Sequence, residues 1–332
     1  MMSRSNGVLL LIIVGLTGYS ALGQKSDPPA KESAETPIGP KWWPSEWGAD
    51  DQRGAANRLT PKKVLQAKDL IRTGQIYQLG RVYQAEMPLA GKRHFALTIP
   101  GLPTGAPSGK NQIVHNDEMF SGEIGQVGTQ FDGLGHIGVH MDNDNIFYNG
   151  NKLSEFGNAY GLKKLGVENA GPFVTRGVLL DVAGVKEERS LKGGYVITVD
   201  DLKKAQDVAK VTIEPGDVVL IRTGHGFHWM TDSKKFNESE PGIGMAAARW
   251  LTEQKVCLIG ADNWAIEVVP AENPDRPFEV HQWDLTRNGV YHLENLDLDA
   301  LAKDKVYEFA FVFVPLPLKG ATGSPGNPIA IR

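Results

Sequence analysis

The stretch Gly128-Thr-Gln-Phe-Asp132-Gly-Leu-Gly-His136-Ile-Gly-Val-His140 places one carboxylate and two imidazoles among four glycines. Asp132 and His136 are four residues apart, and the neighbouring glycines allow the backbone to approach a ligand closely. A carboxylate and an imidazole brought together in this way suit a divalent metal ion. The same spacing is equally compatible with a structural Asp–His hydrogen bond in a turn, so the stretch alone leaves both interpretations open.

A second polar stretch lies far along the chain. It runs His281-Gln-Trp-Asp-Leu-Thr-Arg-Asn-Gly289 and continues through Val-Tyr-His-Leu to Glu294. We predict a helix that ends at Gly289, because glycine commonly follows the last helical turn. An extended strand carrying Glu294 should come next. Spacing by itself does not identify a site here.

The rest of the chain alternates between helix and strand patterns. We predict helices that begin at Thr60-Pro61 and end at Gly74, that run from the Thr198 cap to Ala209, and that cover 243–254. Strands are predicted over 75–83, 177–182, 217–223, 256–261 and 306–314. Residues 90–165 should be irregular. No internal repeat or change of composition interrupts 46–332, which indicates a single mixed α/β domain.

Composition excludes several classes of protein. The 332 residues are 41% hydrophobic and 22% charged, with a formal net charge of −4. These values are typical of a globular domain and give no electrostatic reason to expect a nucleic acid partner. The single cysteine, Cys257, cannot form an internal disulfide and lies in an apolar run, so we expect a buried small hydrophobe. The chain has no Gly-x-Ser-x-Gly motif and no phosphate-binding loop.

The N-terminal residues have the pattern of a cleavable signal peptide. An apolar run over 8–16 is followed by Ala21-Leu22-Gly23, which fits the small-x-small cleavage pattern. We therefore predict a signal peptide over 1–23 and a periplasmic or secreted protein without a stable membrane anchor; a retained anchor is the alternative. We also predict a Pro-rich arm over 24–45 that leads into an aromatic anchor, and a domain over 46–332.

The segment from Gln126 to His136 resembles the signature His-x-Gly-Thr-His-x-Asp-x-Pro-x-His of the cyclase family, which includes kynurenine formamidase and isatin hydrolase. The likeness covers nearly the whole mature chain and continues through Trp47–Asp51, Phe147–Gly150, Gly216–Gly224 and His281–Glu294. This resemblance implies a swivelling β/β/α fold, a divalent metal ion and hydrolysis of an amide or related carbonyl bond.

Functional residues follow from the resemblance position by position. It implies that Asp132 binds the metal and that His136 is the catalytic histidine. His281 and Glu294 match the later metal-binding pair, although they lie thirteen residues apart, one more than the family spacing.

This sequence departs from the signature at two ligand positions. Both leading histidines are glutamines here, Gln126 and Gln130, and the proline is Leu134. An amide oxygen coordinates a hard cation more weakly than an imidazole does. We therefore expect one divalent ion, Mn²⁺ or Zn²⁺ with the balance towards manganese, and we include Gln130 among its ligands.

The remaining histidines are weaker candidates. His140 and His115 are predicted to line or border the same pocket, as is Gln126. His225 and His228 follow a predicted strand, where α/β proteins often bind substrate. We expect His94 and His292 to be ordinary surface or packed residues.

The resemblance implies a metal-dependent hydrolase that cleaves a small amide, lactam or related carbonyl compound, with His136 as the general base. Two alternatives stay open. One is a lactone hydrolase or cyclising enzyme on the same scaffold, and the other is an exported binding protein without catalysis. The expected partner is a small-molecule substrate rather than a nucleic acid, and we expect a homo-oligomer.

Overall fold

Within residues 35–332, which the computed structural model describes as one unit, nine strands form a mixed sheet. In chain order they are β1 (Ile76–Gln78), β2 (Gln130–Asp132), β3 (Phe173–Asp181), β4 (Val218–Arg222), β5 (Leu258–Ala261), β6 (Tyr291–Glu294), β7 (Glu308–Phe313), β8 (Gly323–Pro325) and β9 (Ile329–Ile331). Across the sheet the order is β8-β2-β6-β5-β4-β3-β7-β9-β1. The predicted signal peptide and residues 24–34 of the arm lie outside the described residues.

The centre of the sheet is parallel. Strands β3, β4, β5 and β6 pair in parallel, whereas β2 and β8 on one side and β7, β9 and β1 on the other pair antiparallel. Parallel strands covered on both faces consist of near-continuous apolar runs, as Val-Val-Leu-Ile at 218–221 does. The prediction of a mixed α/β domain is confirmed.

Short helices connect these strands. The described α-helices are Pro61–Lys68, Leu153–Phe156, Val182–Val185, Val199–Ala209, Ser233–Glu238, Met245–Glu253, Glu279–His281 and Asp299–Lys303. Single 3₁₀ turns cover Gly54–Arg58, Tyr148–Gly150, Val167–Asn169 and His225–His228. Thr198 caps its helix reciprocally with Asp201, as the sequence predicts.

Two predicted helices differ from the observed ones. The helix that begins at Pro61 ends at Lys68 rather than Gly74, because the amides of Leu70 and Ile71 bond three residues back instead of four. The predicted helix from His281 to Gly289 is an α-helical turn that ends at His281, followed by a π-helical turn over Gln282–Arg287. Gly289 ends it with a positive φ of 62°, as predicted.

Residues 90–165 contain short two-stranded ribbons and turns, in agreement with the predicted irregular region. The ribbons of the described chain pair Glu35–Thr36 with Gly39–Pro40, Phe95–Thr98 with Met119–Gly122, Gly105–Ser108 with Ile113–His115, Val139–Met141 with Asp144–Ile146, and Val196–Ile197 with Gly242–Ile243. Among the described helices, none has the length and apolar character that a membrane crossing requires.

The described end of the arm packs on the domain. Ile38 is buried against Val139 and Ile146, with Trp42 and Trp43 beside them. The Arg287 guanidinium donates hydrogen bonds to the carbonyls of residues 38 and 40. Ile38, Trp42 and Trp43 therefore hold this part of the chain against the domain.

The pair β2–β6 has two faces of opposite character. On one face, Phe131 stacks on Tyr291 with ring centroids 5.0 Å apart and also contacts Phe173 and Phe313. Because successive side chains in a strand point to opposite faces, the polar residues of β2 and β6 all point to the other face. The aromatic layer thus fixes the two strands that carry the polar groups.

Candidate active site

Cross-strand register gathers four polar side chains on this second face. Antiparallel pairing sets Asp132 directly opposite His292 and Gln130 opposite Glu294. Residues opposite each other on one face have Cβ atoms about 4.5–5.5 Å apart. The sheet therefore brings together residues that are more than 150 positions apart in the sequence.

Asp132 is buried and half satisfied. Its Oδ1 accepts a hydrogen bond of 2.8 Å from the Gln126 amide. Its Oδ2 is buried without a hydrogen-bond partner. That oxygen lies 3.6 Å from His136 Nε2 and 3.8 Å from His281 Nε2.

Glu294 repeats this arrangement on the neighbouring strand. One carboxylate oxygen, Oε2, accepts a hydrogen bond from the Gln130 amide. The other, Oε1, is buried without a hydrogen-bond partner and lies 3.3 Å from His281 Nε2. Each glutamine thus occupies one oxygen of a carboxylate and leaves the second facing the centre.

The third group is His281, which lies at the end of a helical turn above the sheet. Its backbone N–H donates to Glu267 Oε1 at 3.0 Å, and its Nδ1 lies 2.5 Å from the same oxygen. With Nδ1 held by Glu267, Nε2 faces Asp132 and Glu294 and is the nitrogen that a metal ion would bind. A carboxylate that holds the outer nitrogen of a histidine in this way is the usual support of a metal-binding imidazole.

The electrostatics of this cluster favour a positive charge. Burial lowers the pKa of His281, but its contact with Glu267 and the negative charges of Glu267 and Glu294 raise it well above the ordinary imidazole value, so a bound metal ion would displace a proton from Nε2. Burial, followed by the charge of Asp132, raises the pKa of Glu294 to about 7. Two buried carboxylate oxygens without partners and an imidazole nitrogen therefore converge where a cation would satisfy all three.

The residues present fit a divalent metal ion. Single ligand atoms from Asp132, His281, His292 and Glu294 lie within 4.8 Å of one another, and all four side chains are buried. Nitrogen and carboxylate oxygen together are the ligands of zinc and manganese sites.

His136 borders this cluster and stays partly exposed to the cavity. Its backbone N–H donates to the Gly133 carbonyl at 3.0 Å, which closes the Gly-rich turn after β2. Burial lowers the pKa of the His136 imidazole, and the charge of Asp132 only partly opposes this. The ring is therefore neutral at pH 7 and has a lone pair for a proton.

A small cavity of about 180 Å³ opens on these groups. Ile137, Trp264, Ala265 and Phe278 form an apolar wall opposite the polar cluster. Arg93 adds a cation and donates to Gln126 Oε1 at 3.3 Å. This volume is below the range of about 300–1,000 Å³ that is typical of drug-sized ligands, so the cavity suits a small molecule.

Several predicted pocket residues lie elsewhere. His140 lies on the strand Val139–Met141 rather than on a helical turn with His136, and it is exposed, with Nδ1 3.0 Å from Asn145 Oδ1. His115 is exposed on a ribbon, 3.6 Å from Asp117.

His225 and His228 line a different cavity, together with Arg189, Lys192 and Lys235. His225 is buried there, and its Nε2 lies at hydrogen-bond distance from the Phe236 carbonyl, 3.0 Å away. The structure does not bring either histidine to Asp132.

Sequence reasoning did not identify His292 or Glu267 as members of the site. His292 was expected to be packed or on the surface, and it is packed, but against the polar cluster. The alternation of a strand ending at Glu294 would have placed His292 on the same face. No local signal identifies Glu267, because its partner lies fourteen residues away across an irregular loop.

Comparisons with known proteins agree with this architecture. The sequence model of the family described as "Putative cyclase" matches residues 77–268. A crystal structure described as a novel cyclase is 35% identical, covers 86% of this chain and 96% of its own, and gives a TM-score of 0.77. No curated protein matches the sequence.

Two more distant structures share the fold. Isatin hydrolase A from Labrenzia aggregata, bound to benzyl benzoate, is 19% identical with a TM-score of 0.57, covering 77% of this chain and 93% of its own. Isatin hydrolase A from Ralstonia solanacearum is also 19% identical with a TM-score of 0.58, covering 82% and 97%. At this identity the likeness concerns the fold.

Proposed function

The chain belongs to the cyclase family, and on that premise we propose that it is a metal-dependent hydrolase acting on a small amide, lactam or related carbonyl compound. The observation that carries the proposal is the convergence of Asp132 Oδ2, Glu294 Oε1 and His281 Nε2 beside a neutral His136. Two proteins of the same fold are isatin hydrolases, which supports hydrolysis as the reaction class.

Asp132, His281 and Glu294 would hold the ion. When bound, it would polarise the scissile carbonyl and acidify a water molecule. Glu267 keeps the proton of His281 on Nδ1, so Nε2 stays available as a ligand. Gln126 and Gln130 each hold one oxygen of the two carboxylates and keep the other directed at the centre.

His136 serves as the general base in this proposal. Its Nε2 takes the proton from the attacking water and returns it to the leaving nitrogen, which departs as an amine with the proton on it. Asp132 Oδ2, 3.6 Å from Nε2, stabilises the imidazolium formed between the two transfers. The Trp264 and Phe278 side excludes bulk water and packs a flat substrate, while Arg93 attracts the carboxylate product.

The test combines metal content with a substrate panel. Purified protein is analysed for bound metals and assayed with aryl formamides, lactams and lactones, alongside a His136→Ala variant. We expect hydrolysis of an amide-type compound that depends on the metal, and a loss of about 10²–10⁴-fold in the variant. Preference for lactones would overturn the C–N assignment. A metal-loaded protein that hydrolyses none of these compounds would overturn the proposal.

A further inference from the structure

His292 has the position and the free nitrogen of a metal ligand. We propose that His292 is a fourth ligand of this centre and that Asp284 fixes its ring, while Gln126 and Gln130 orient carboxylates instead of coordinating. This inference rests on the metal site of the proposed function. It replaces Gln130, the expected amide ligand, with an imidazole.

The register of the sheet places His292 in the centre. It faces Asp132 across the β2–β6 pair and precedes Glu294 by two residues on the same face. Its ring meets the His281 ring edge-on, with centroids 4.7 Å apart. Both rings are fully or almost fully buried, so bulk water does not supply the hydrogen bonds that their nitrogens lack.

One nitrogen of His292 is already occupied. Its Nε2 lies 2.9 Å from Asp284 Oδ2, and both side chains have no exposed surface. When Asp284 accepts from the Nε2–H, the lone pair of the ring lies on Nδ1. That Nδ1 is buried without a hydrogen-bond partner, as are Asp132 Oδ2 and Glu294 Oε1. A cation shared by these three atoms would satisfy all of them.

The side-chain amides of both glutamines donate to the carboxylates of the site. Gln126 uses its Nε2 for Asp132 and its Oε1 for Arg93. Gln130 donates through Nε2 to Glu294. Their amides therefore select which carboxylate oxygen faces the ion.

The resulting ligand set is chemically balanced. Asp132 and Glu294 contribute two negative charges, and His281 and His292 contribute two neutral nitrogens. Two carboxylates neutralise a divalent cation, and the imidazoles favour Zn²⁺ or Mn²⁺ over Ca²⁺ or Mg²⁺, which prefer oxygen. Glu267 contacts the outer nitrogen of His281, and Asp284 contacts the outer nitrogen of His292 in the same way.

Metal affinity separates a ligand from a packed histidine. The dissociation constant for Zn²⁺ is measured by chelator competition in the parent, His292→Leu, Gln130→Leu and His225→Leu, with unfolding of the metal-free proteins as a check on folding. His225 is the matched control, since it is another buried histidine but lies outside the cluster. We expect His292→Leu to weaken binding by about 100-fold or more and Gln130→Leu by about tenfold, the size of an outer-sphere loss. His225→Leu should bind as the parent does.

A second measurement needs no variant. Addition of Zn²⁺ to ¹⁵N-histidine-labelled parent protein should shift the Nδ1 resonance of His292 and the Nε2 resonance of His281. An unchanged His292 resonance, or parental affinity in a folded His292→Leu protein, would overturn this inference while leaving the hydrolase proposal intact. A parent that binds no divalent ion would overturn the proposed function itself.

Discussion

Two carboxylates of this protein are equally buried but differ in their hydrogen-bond partners. Asp132 is 1% exposed and Asp217 is 0% exposed. Asp217 Oδ1 accepts from Lys63 Nζ at 2.6 Å, and its Oδ2 accepts from Arg176 Nη1 and the Glu214 amide, each at 2.8 Å. Asp132 has one amide donor and a second oxygen without a partner.

The difference separates structural carboxylates from functional ones. The Asp217 cluster contains its own cations, so folding alone completes it. The Asp132 cluster has more acceptors than donors, and only something from outside the chain can complete it. A buried polar group that the fold leaves unsatisfied therefore identifies the site better than burial or charge does.

The largest expected effect is on stability, at Asp217. Replacement Asp217→Ala leaves Arg176 and Lys63 as buried cations with one partner fewer, which should cost about 3–5 kcal/mol of unfolding free energy. Urea unfolding measures the loss, and the metal content of the folded variant should equal that of the parent. A loss below about 1 kcal/mol would remove the distinction between the two clusters.

At Asp132 the expected effect lies in the metal rather than the fold. In Asp132→Ala, the metal-free protein should unfold within about 1 kcal/mol of the parent, because repulsion from Glu294 also disappears. The parent should gain about 2.7 kcal/mol when the ion is at 100 times its dissociation constant, and the variant should gain almost nothing. Thermal unfolding with and without Zn²⁺ measures both. Equal metal-dependent gains in the two proteins would contradict the assignment.

A smaller effect on metal affinity is expected at Glu267, the carboxylate that contacts His281 Nδ1. Glu267→Gln keeps an acceptor for the imidazole but removes the charge, and it should weaken Zn²⁺ binding by about tenfold. Glu240→Gln is the matched control, since Glu240 is also fully buried nearby and accepts from the Trp264 amide. Chelator competition compares the two variants. Equal weakening in both would show a general effect of buried charge.

The smallest expected effect is on the pH dependence of stability at Asp201. This carboxylate pairs with Lys186 and also belongs to the capping box of its helix. Burial opposes ionisation, but hydrogen bonds from Lys186 and from the Thr198 amide and hydroxyl lower the pKa of Asp201 to about 2. Its stabilisation is present above the ordinary value of 3.8 and is lost as pH falls through about 2.

Asp201→Asn should therefore destabilise the protein by about 1 kcal/mol at pH 6 and flatten this part of the pH profile. Urea unfolding between pH 2 and 6 makes the comparison. An unchanged slope in the variant would assign the acid sensitivity to other carboxylates.

Local sequence patterns predicted the helices and strands better than they predicted the residues of the candidate metal site. The Thr198–Asp201 capping box and the apolar run at 218–221 depend on neighbours in sequence, so both were predictable. The role of His292 depends on its register opposite Asp132, which is set by pairing between strands far apart in the chain. Resemblance supplied Asp132, His136, His281 and Glu294, but it could not show that the Gln130 amide donates to Glu294.

The aromatic layer beneath β2 and β6 has a consequence for metal exchange. Phe131, Tyr291 and the ladder between the strands hold Asp132 and Glu294 in place through contacts that do not involve a metal ion. Small zinc domains gain their fold from the metal, whereas here the template exists beforehand and binding need not be coupled to folding. Loading should then be reversible and fast, with a chelated sample recovering fully on addition of metal. The ion found in the protein would accordingly reflect the supply of Zn²⁺ and Mn²⁺, each weighted by its affinity for the site.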